Sequence, residues 1–175
     1  DLPTSRGIVP AVAQATKQGW VYVLNRENGQ PIWPIVERDV AASDVPRERL
    51  WPTQPFVTWP EPFEQQGMSD DDLVDFTPAL RAEALKTAKR YRMGPIFTPP
   101  SLEKNADGTE GSWMVPSSNG GANIPGGAAV DPETGWFYVA SQHSYEVIAL
   151  VPAQEKYPNG KPWPGWGSPD GKITS

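Results

Sequence analysis

The sequence has no cysteine and only one histidine, His143, among its 175 residues. The first absence excludes a disulfide framework, a thiolate metal site and a cysteine nucleophile. The second excludes a histidine-rich metal centre and any triad with a base to spare. No apolar run approaches the roughly 18 residues needed to cross a bilayer. Residues 1–175 also contain no basic-then-apolar stretch of the signal-peptide kind. Positive charge is in deficit: 15 Lys and Arg face 21 Asp and Glu, a net charge of −6. Such a balance does not suit a phosphate backbone, so a nucleic-acid partner is excluded. What the chain has in plenty is tryptophan, with eight, together with 21 Pro and 16 Gly. That is a loop-rich composition, still short of low complexity, and the flat side chains imply repeated packing or stacking.

Two stretches read as short antiparallel sheet units. In the first, runs at 8–13 and 19–24 flank a tight turn at Thr16–Gly19. A second turn at Asn25–Gly29 returns the chain through Gln30–Trp33. About a hundred residues later Ala128–Val130 leads through Asp131–Gly135 to Trp136–Ala140, and Glu146–Val151 follows as a further strand. Both turns have the form Asn/Asp, two residues, Asn/Thr, Gly, with Gly29 and Gly135 at the position that favours positive φ. The pattern fits a radial β repeat, and equally two unrelated hairpins.

Between these units the chain changes character. Residues 39–63 are rich in Pro and Trp and read as extended loop rather than sheet interior. Ser69 before Asp70, Asp71 and Asp72 is a helix start, and Thr77-Pro78 is another. The stripe Leu80, Ala84, Leu85, Ala88, Tyr91 predicts a helix over 78–92, stopped by Gly94-Pro95. From Pro99 to Gly127 the chain reads as loop, with a strand at Trp113–Val115. The chain opens at Asp1 without methionine and ends in Gly171–Ser175, which reads as the first residues of a strand after a turn at Pro169–Gly171. It is therefore expected to be an internal piece of a longer protein; the other reading is a mature chain with a frayed tail.

Few residues stand out for chemistry. The glycine-rich segment 119–127 lets a backbone approach a planar or anionic group closely. It is neither a Walker loop nor a dinucleotide fingerprint, because the lysine spacing is wrong and a strand follows it. Lys17 sits in a turn between strands, where a cation is either simply solvated or faces an anionic or quinone oxygen. His143 follows a strand and reads as a surface or hydrogen-bonded residue. Asp131 reads as closing its own turn. Asp70–Asp72 lacks the spaced ligands and glycine of a Ca²⁺ loop.

Taken together, the strings 10–26, Pro52–Phe56, Ile96–Ser101, and Gly120–Asn123 running into Asp131–Gly135 resemble the pyrroloquinoline quinone (PQQ)-dependent dehydrogenases, most of all the quinoprotein glucose dehydrogenase branch. The resemblance implies an all-β fold: a partial eight-bladed β-propeller of four-stranded blades. About two blades would be present, with a loop-rich insertion containing one or two short helices. Residues 1–38 and 119–175 would be blade segments and 39–118 the insertion, all within one propeller domain that needs the remainder of the ring as its partner. The same resemblance implies PQQ and Ca²⁺ as cofactors and oxidation of a sugar or alcohol hydroxyl. A quinone or cytochrome would be the electron acceptor, and the location periplasmic. Lys17 would contact the quinone oxygens, while Asn123 and, more weakly, Ser141 would line the cofactor. Relatives carry Trp where this chain has Ile124. Asp1 matches the second acid of a Trp-Asp-x-Asp-Leu-Pro string, so the base aspartate would lie two residues before it, with the calcium ligands also upstream. Two other functions fit the composition: a non-catalytic propeller scaffold that binds proteins, and a carbohydrate-binding module using Trp51, Trp59, Trp163 and Trp166 as platforms.

Overall fold

A computed structural model describes residues 1–5, 7–122 and 127–151. The strand expected at 171–175, and Trp163 and Trp166, lie outside these residues. In chain order the strands are β1 (Leu2–Thr4), β2 (Gly7–Val9), β3 (Ala11–Ala15), β4 (Val21–Asn25), β5 (Ile35–Asp39) and β6 (Thr53–Val57), then, beyond a 3-10 turn at Asp70–Asp72 and helix α1 (Pro78–Ala88), β7 (Ser101–Leu102), β8 (Ser112–Met114), β9 (Gly121–Ala122), β10 (Ala128–Val130), β11 (Phe137–Val139), β12 (Ser141–Gln142) and β13 (Glu146–Leu150). They form two compact units, each assembled from separated stretches of chain.

The first unit comprises Asp1–Asp39, Thr53–Gln66 and Val115–Ser144. Its sheets are antiparallel pairs: β1 with β2, β3 with β4, β5 with β6, β9 with β12 and β10 with β11. These are smaller than four-stranded blades, and local causes are visible. Pro10 separates β2 from β3. Six positions separate Ala122 from Ala128, but only two separate their partners Ser141 and Val139, so the β9–β12 and β10–β11 ladders are out of register with one another. The core is small: Ala15, Val21 and Ala122 are buried, with Val23, Phe63, Phe137 and Val139 packed on them.

The two sequence-similar turns fold alike. In one, Asn25 Oδ1 accepts from the Glu27 amide at 2.8 Å and the Asn25 carbonyl accepts from the Gly29 amide at 2.8 Å. In the other, Asp131 Oδ1 accepts from the Glu133 amide at 2.9 Å and the Asp131 carbonyl from the Gly135 amide at 2.8 Å. Both glycines have φ of +74°. A side chain closing its own turn and a glycine completing it thus occur twice, after β4 and after β10, which favours the repeat over chance hairpins.

Asp131 also accepts from Thr134 Oγ1 at 2.6 Å. That bond, then the Glu133 amide, holds its carboxyl below the usual carboxylate range. A carboxyl whose folded pKa is depressed lends stability above its unfolded pKa and loses it as pH falls through the folded value. The turn lies at the surface, so the expected result is local: Thr134→Val raises the Asp131 titration midpoint followed by carboxyl carbon NMR. An unmoved midpoint would show that the hydroxyl is not the cause.

The Pro- and Trp-rich stretch corrects the sequence reading in part. Residues 53–57 are strand β6, paired along its whole length with β5, rather than loop. Pro55 is tolerated because of its phase. Thr58 donates to the Pro34 carbonyl at 3.3 Å, so the alternating ladder puts the Glu37–Pro55 pair at a position whose amides face away from the partner strand.

Among the described residues the second unit comprises Val40–Pro52, Gly67–Met114 and 145–151. Asp72 accepts from the Ser69 amide and hydroxyl at 2.7 and 2.9 Å, so the acidic run is a helix start. Thr77 Oγ1 accepts from the Leu80 amide at 3.2 Å and caps α1. The helix ends at Ala88, short of the expected 92. The Arg90 carbonyl accepts from the Glu110 amide, and Arg92 exchanges bonds with Gly111 and Trp113, so these backbone groups serve a strand-like pairing instead. Strand β13 joins β8 antiparallel and β7 parallel. Beside it the fully buried Ser101 hydroxyl meets Asp44 and Asn105, and Arg92 bridges Asp44 at 2.6 Å and Asp107 at 3.1 Å. The Ile96–Ser101 string therefore ends in a residue held for packing. Among the described residues no helix is long and apolar enough to cross a membrane.

Candidate functional site

Strand ends of the first unit converge on the turn between β3 and β4. β3 ends at Ala15 and β4 begins at Val21, both in the core, so the intervening Thr16–Trp20 is held firmly while Lys17 stays exposed. Thr16 closes the turn, with its amide and hydroxyl donating to the Trp20 carbonyl at 2.9 and 3.1 Å and its own carbonyl accepting from Gly19 at 3.1 Å.

Two distant segments are pressed onto this turn. One is β9: the Ala122 amide donates to the Thr16 carbonyl at 3.1 Å. Gly121, at φ +69°, lies so close that a Cβ there would overlap the Lys17 carbonyl oxygen and stand 2.6 Å from the Lys17 Cα. The other is 63–66: the Phe63 amide donates to the Gly19 carbonyl at 2.8 Å and Gln66 Nε2 to the Gln18 carbonyl at 2.6 Å. A Cβ on Gly19 would sit 2.6 Å from the Glu64 Cβ. Strand β12 then pairs Ser141 with Ala122 and Gln142 with Gly121.

The structure thus brings the Lys17 turn, β9 and Ser141 together. Asn123 lies outside the described residues. The carboxylate at the middle of the cluster, Glu64, was not singled out by the sequence. It accepts from Ser141 Oγ at 3.1 Å and pairs with His143 Nδ1 at 2.9 Å. Its side chain is 9% exposed against 51% for His143. No spacing rule links residues 77 and 79 positions apart; the only trace was a Pro-rich segment that had to pack somewhere. His143 is both exposed and hydrogen-bonded, as its sequence reading expects.

Chemically the cluster offers one ammonium and a strand backbone that only glycine allows so near the turn, beside a Ser141 hydroxyl and a His143 ring that are both engaged by Glu64. An exposed ammonium beside a closely approaching backbone suits a flat, anionic molecule such as PQQ. No group of three or more metal-ligating side chains gathers among the described residues. Of the proposed tryptophan platforms, Trp51 and Trp59 are exposed, and Trp59 meets Trp33 edge-on with ring centres 6.5 Å apart.

Small antiparallel sheets with a repeated turn suit a stretch of propeller, and a polar cluster lies where strand ends of the first unit meet. The family model described as the PQQ glucose/ethanol/alcohol dehydrogenase β-propeller domain matches residues 1–172, and the chain belongs to that family. The chain is 28% identical over 99% of its length to the glycerol dehydrogenase large subunit of Gluconobacter oxydans, covering 24% of that protein. It is 31% identical over 79% of its length to the quinate/shikimate dehydrogenase (quinone) of Acinetobacter baylyi, covering 16% of it. It is likewise 31% identical over 95% of its length to the quinoprotein glucose dehydrogenase of G. oxydans, covering 19%. The chain therefore spans about a quarter or less of these relatives. No solved structure matches it.

Proposed function

We propose that the chain is part of a PQQ-dependent dehydrogenase that oxidises a sugar, polyol or other alcohol hydroxyl and passes electrons to a quinone or cytochrome. The observation that carries the reading is the packing of Gly121–Ala122 against the Lys17 turn, which sets an exposed cation beside the strand leading into Asn123. PQQ, when bound, supplies a quinone that takes two electrons from the alcohol carbon. The Lys17 ammonium would stabilise negative charge on the quinone oxygens, from a turn whose backbone is held by Thr16 and Ala122. Ser141 adds to the polar lining, and Asn123 is assigned to the cofactor by the family resemblance alone.

Asp1 is held by Arg26 at 2.8 Å, an arrangement that suits an orienting ion pair rather than a proton acceptor. The family resemblance assigns the base to an aspartate that residues 1–175 do not include. Ca²⁺ is assigned to residues other than those described here, and the protein to the periplasm; both rest on the family resemblance.

The test is reconstitution of the complete protein with PQQ and Ca²⁺, followed by dye reduction with glycerol, quinate and glucose. Turnover with at least one, dependent on PQQ, is expected. Neither turnover nor PQQ binding would leave the non-catalytic scaffold as the better reading.

A further inference from the structure

The most unusual feature outside the matched motifs is Glu64. A nearly buried carboxylate is tolerated only when its oxygens are satisfied, and here one oxygen takes Ser141 Oγ and the other faces His143 Nδ1. An ionised carboxylate only accepts, so Ser141 must donate its hydroxyl hydrogen and His143 must carry hydrogen on Nδ1. One residue thereby fixes a hydroxyl rotor and an imidazole tautomer on the β12 edge. The same residue abuts Gly19, and its neighbours Phe63 and Gln66 are bonded to the turn backbone at Gly19 and Gln18. Glu64 is thus the joint between the Lys17 turn and the Ser141–His143 edge.

Resting on the PQQ reading above, we propose that Glu64 is a positioning residue for the cofactor. It does not touch the reacting atoms. It holds Lys17 and Ser141 at a fixed separation and orients the Ser141 hydroxyl and the His143 ring, so that the polar edge is formed before PQQ arrives. Preorganisation of this kind shows in affinity, because the ordering cost is met before binding.

The experiment measures PQQ affinity of the complete apoprotein by quenching of its tryptophan fluorescence, with dye-linked turnover as a second readout. Glu64→Ala should weaken PQQ binding about tenfold or more. Glu64→Gln keeps the size and one acceptor oxygen, and should recover most of that loss. Because Glu64 acts through position, saturating PQQ should return Glu64→Ala turnover to within about threefold of wild type, with the substrate KM unmoved. Thermal midpoints of all variants control for misfolding, and Glu64→Gln carries the test if the alanine variant does not fold. Wild-type PQQ affinity in Glu64→Ala, with affinity lost in Lys17→Ala, overturns the proposal and leaves the cofactor reading intact. Wild-type affinity in both overturns the cofactor reading. A turnover defect that persists at saturating PQQ also overturns the proposal, by placing Glu64 in the chemistry.

Discussion

Replacing Lys17 by alanine in the complete, PQQ-loaded protein is expected to lower turnover by roughly 10²-fold or more, the usual size for removing one fixed charge that faces developing negative charge. Stability should hardly change. Lys17 is exposed, it forms no ion pair among the described residues, and the turn is closed by backbone and Thr16 bonds that the substitution leaves in place. Lys17→Arg keeps the charge but presents a planar fork in place of a compact ammonium, so it should recover only part of the activity. Steady-state dye reduction and circular dichroism on the same preparations separate the two effects. Turnover within threefold of wild type for Lys17→Ala would remove the cation from the site. A thermal midpoint several degrees lower would instead mean that the turn, and not the charge, had been changed.

Local order in this chain was written in local residues. The alternation of 11–15 and 21–25, the Asn25 and Asp131 turns, the Ser69 and Thr77 helix starts and the Lys17 turn are all decided within about ten residues of sequence, and each formed where its chemistry placed it. What the sequence concealed was set by distant partners. Strand β6 carries a proline, so propensity argues against it; only its phase against β5 makes it possible. Helix α1 stops at Ala88 although Tyr91 continues the apolar stripe, because backbone groups of residues 90–92 find partners at 110–113. Glu64 is the clearest case. A glutamate in a Pro-rich loop carries no mark of burial, and its role follows from Ser141 and His143 arriving from the far end of the chain. Lys17 and Ser141 were identified through the family resemblance, while the joint that holds them was visible only in three dimensions.

Gly121→Ala should be the most damaging single-methyl change in the first unit, for two separable reasons. At φ +69° an L-residue is strained by roughly 1–2 kcal/mol. The added methyl also runs into the backbone of Lys17, whose carbonyl carbon would lie 2.5 Å away, so no side-chain rotation relieves the overlap and either β9 or the turn must move. Overpacking of this kind costs a further ~1–3 kcal/mol. The two terms can be told apart inside the same protein. Gly29 and Gly135 have φ of +74°, and a methyl added at either would meet nothing within 4 Å, so their alanine variants report the backbone strain alone. Denaturant unfolding should therefore place Gly121→Ala well below Gly29→Ala and Gly135→Ala, by about the overpacking term. Displacement of the turn carries Lys17 with it, so Gly121→Ala alone of the three should also weaken PQQ binding. Equal losses of stability in all three variants, with PQQ affinity unaffected, would mean that β9 does not press on the lysine turn, and the site would lose the contact on which its geometry depends.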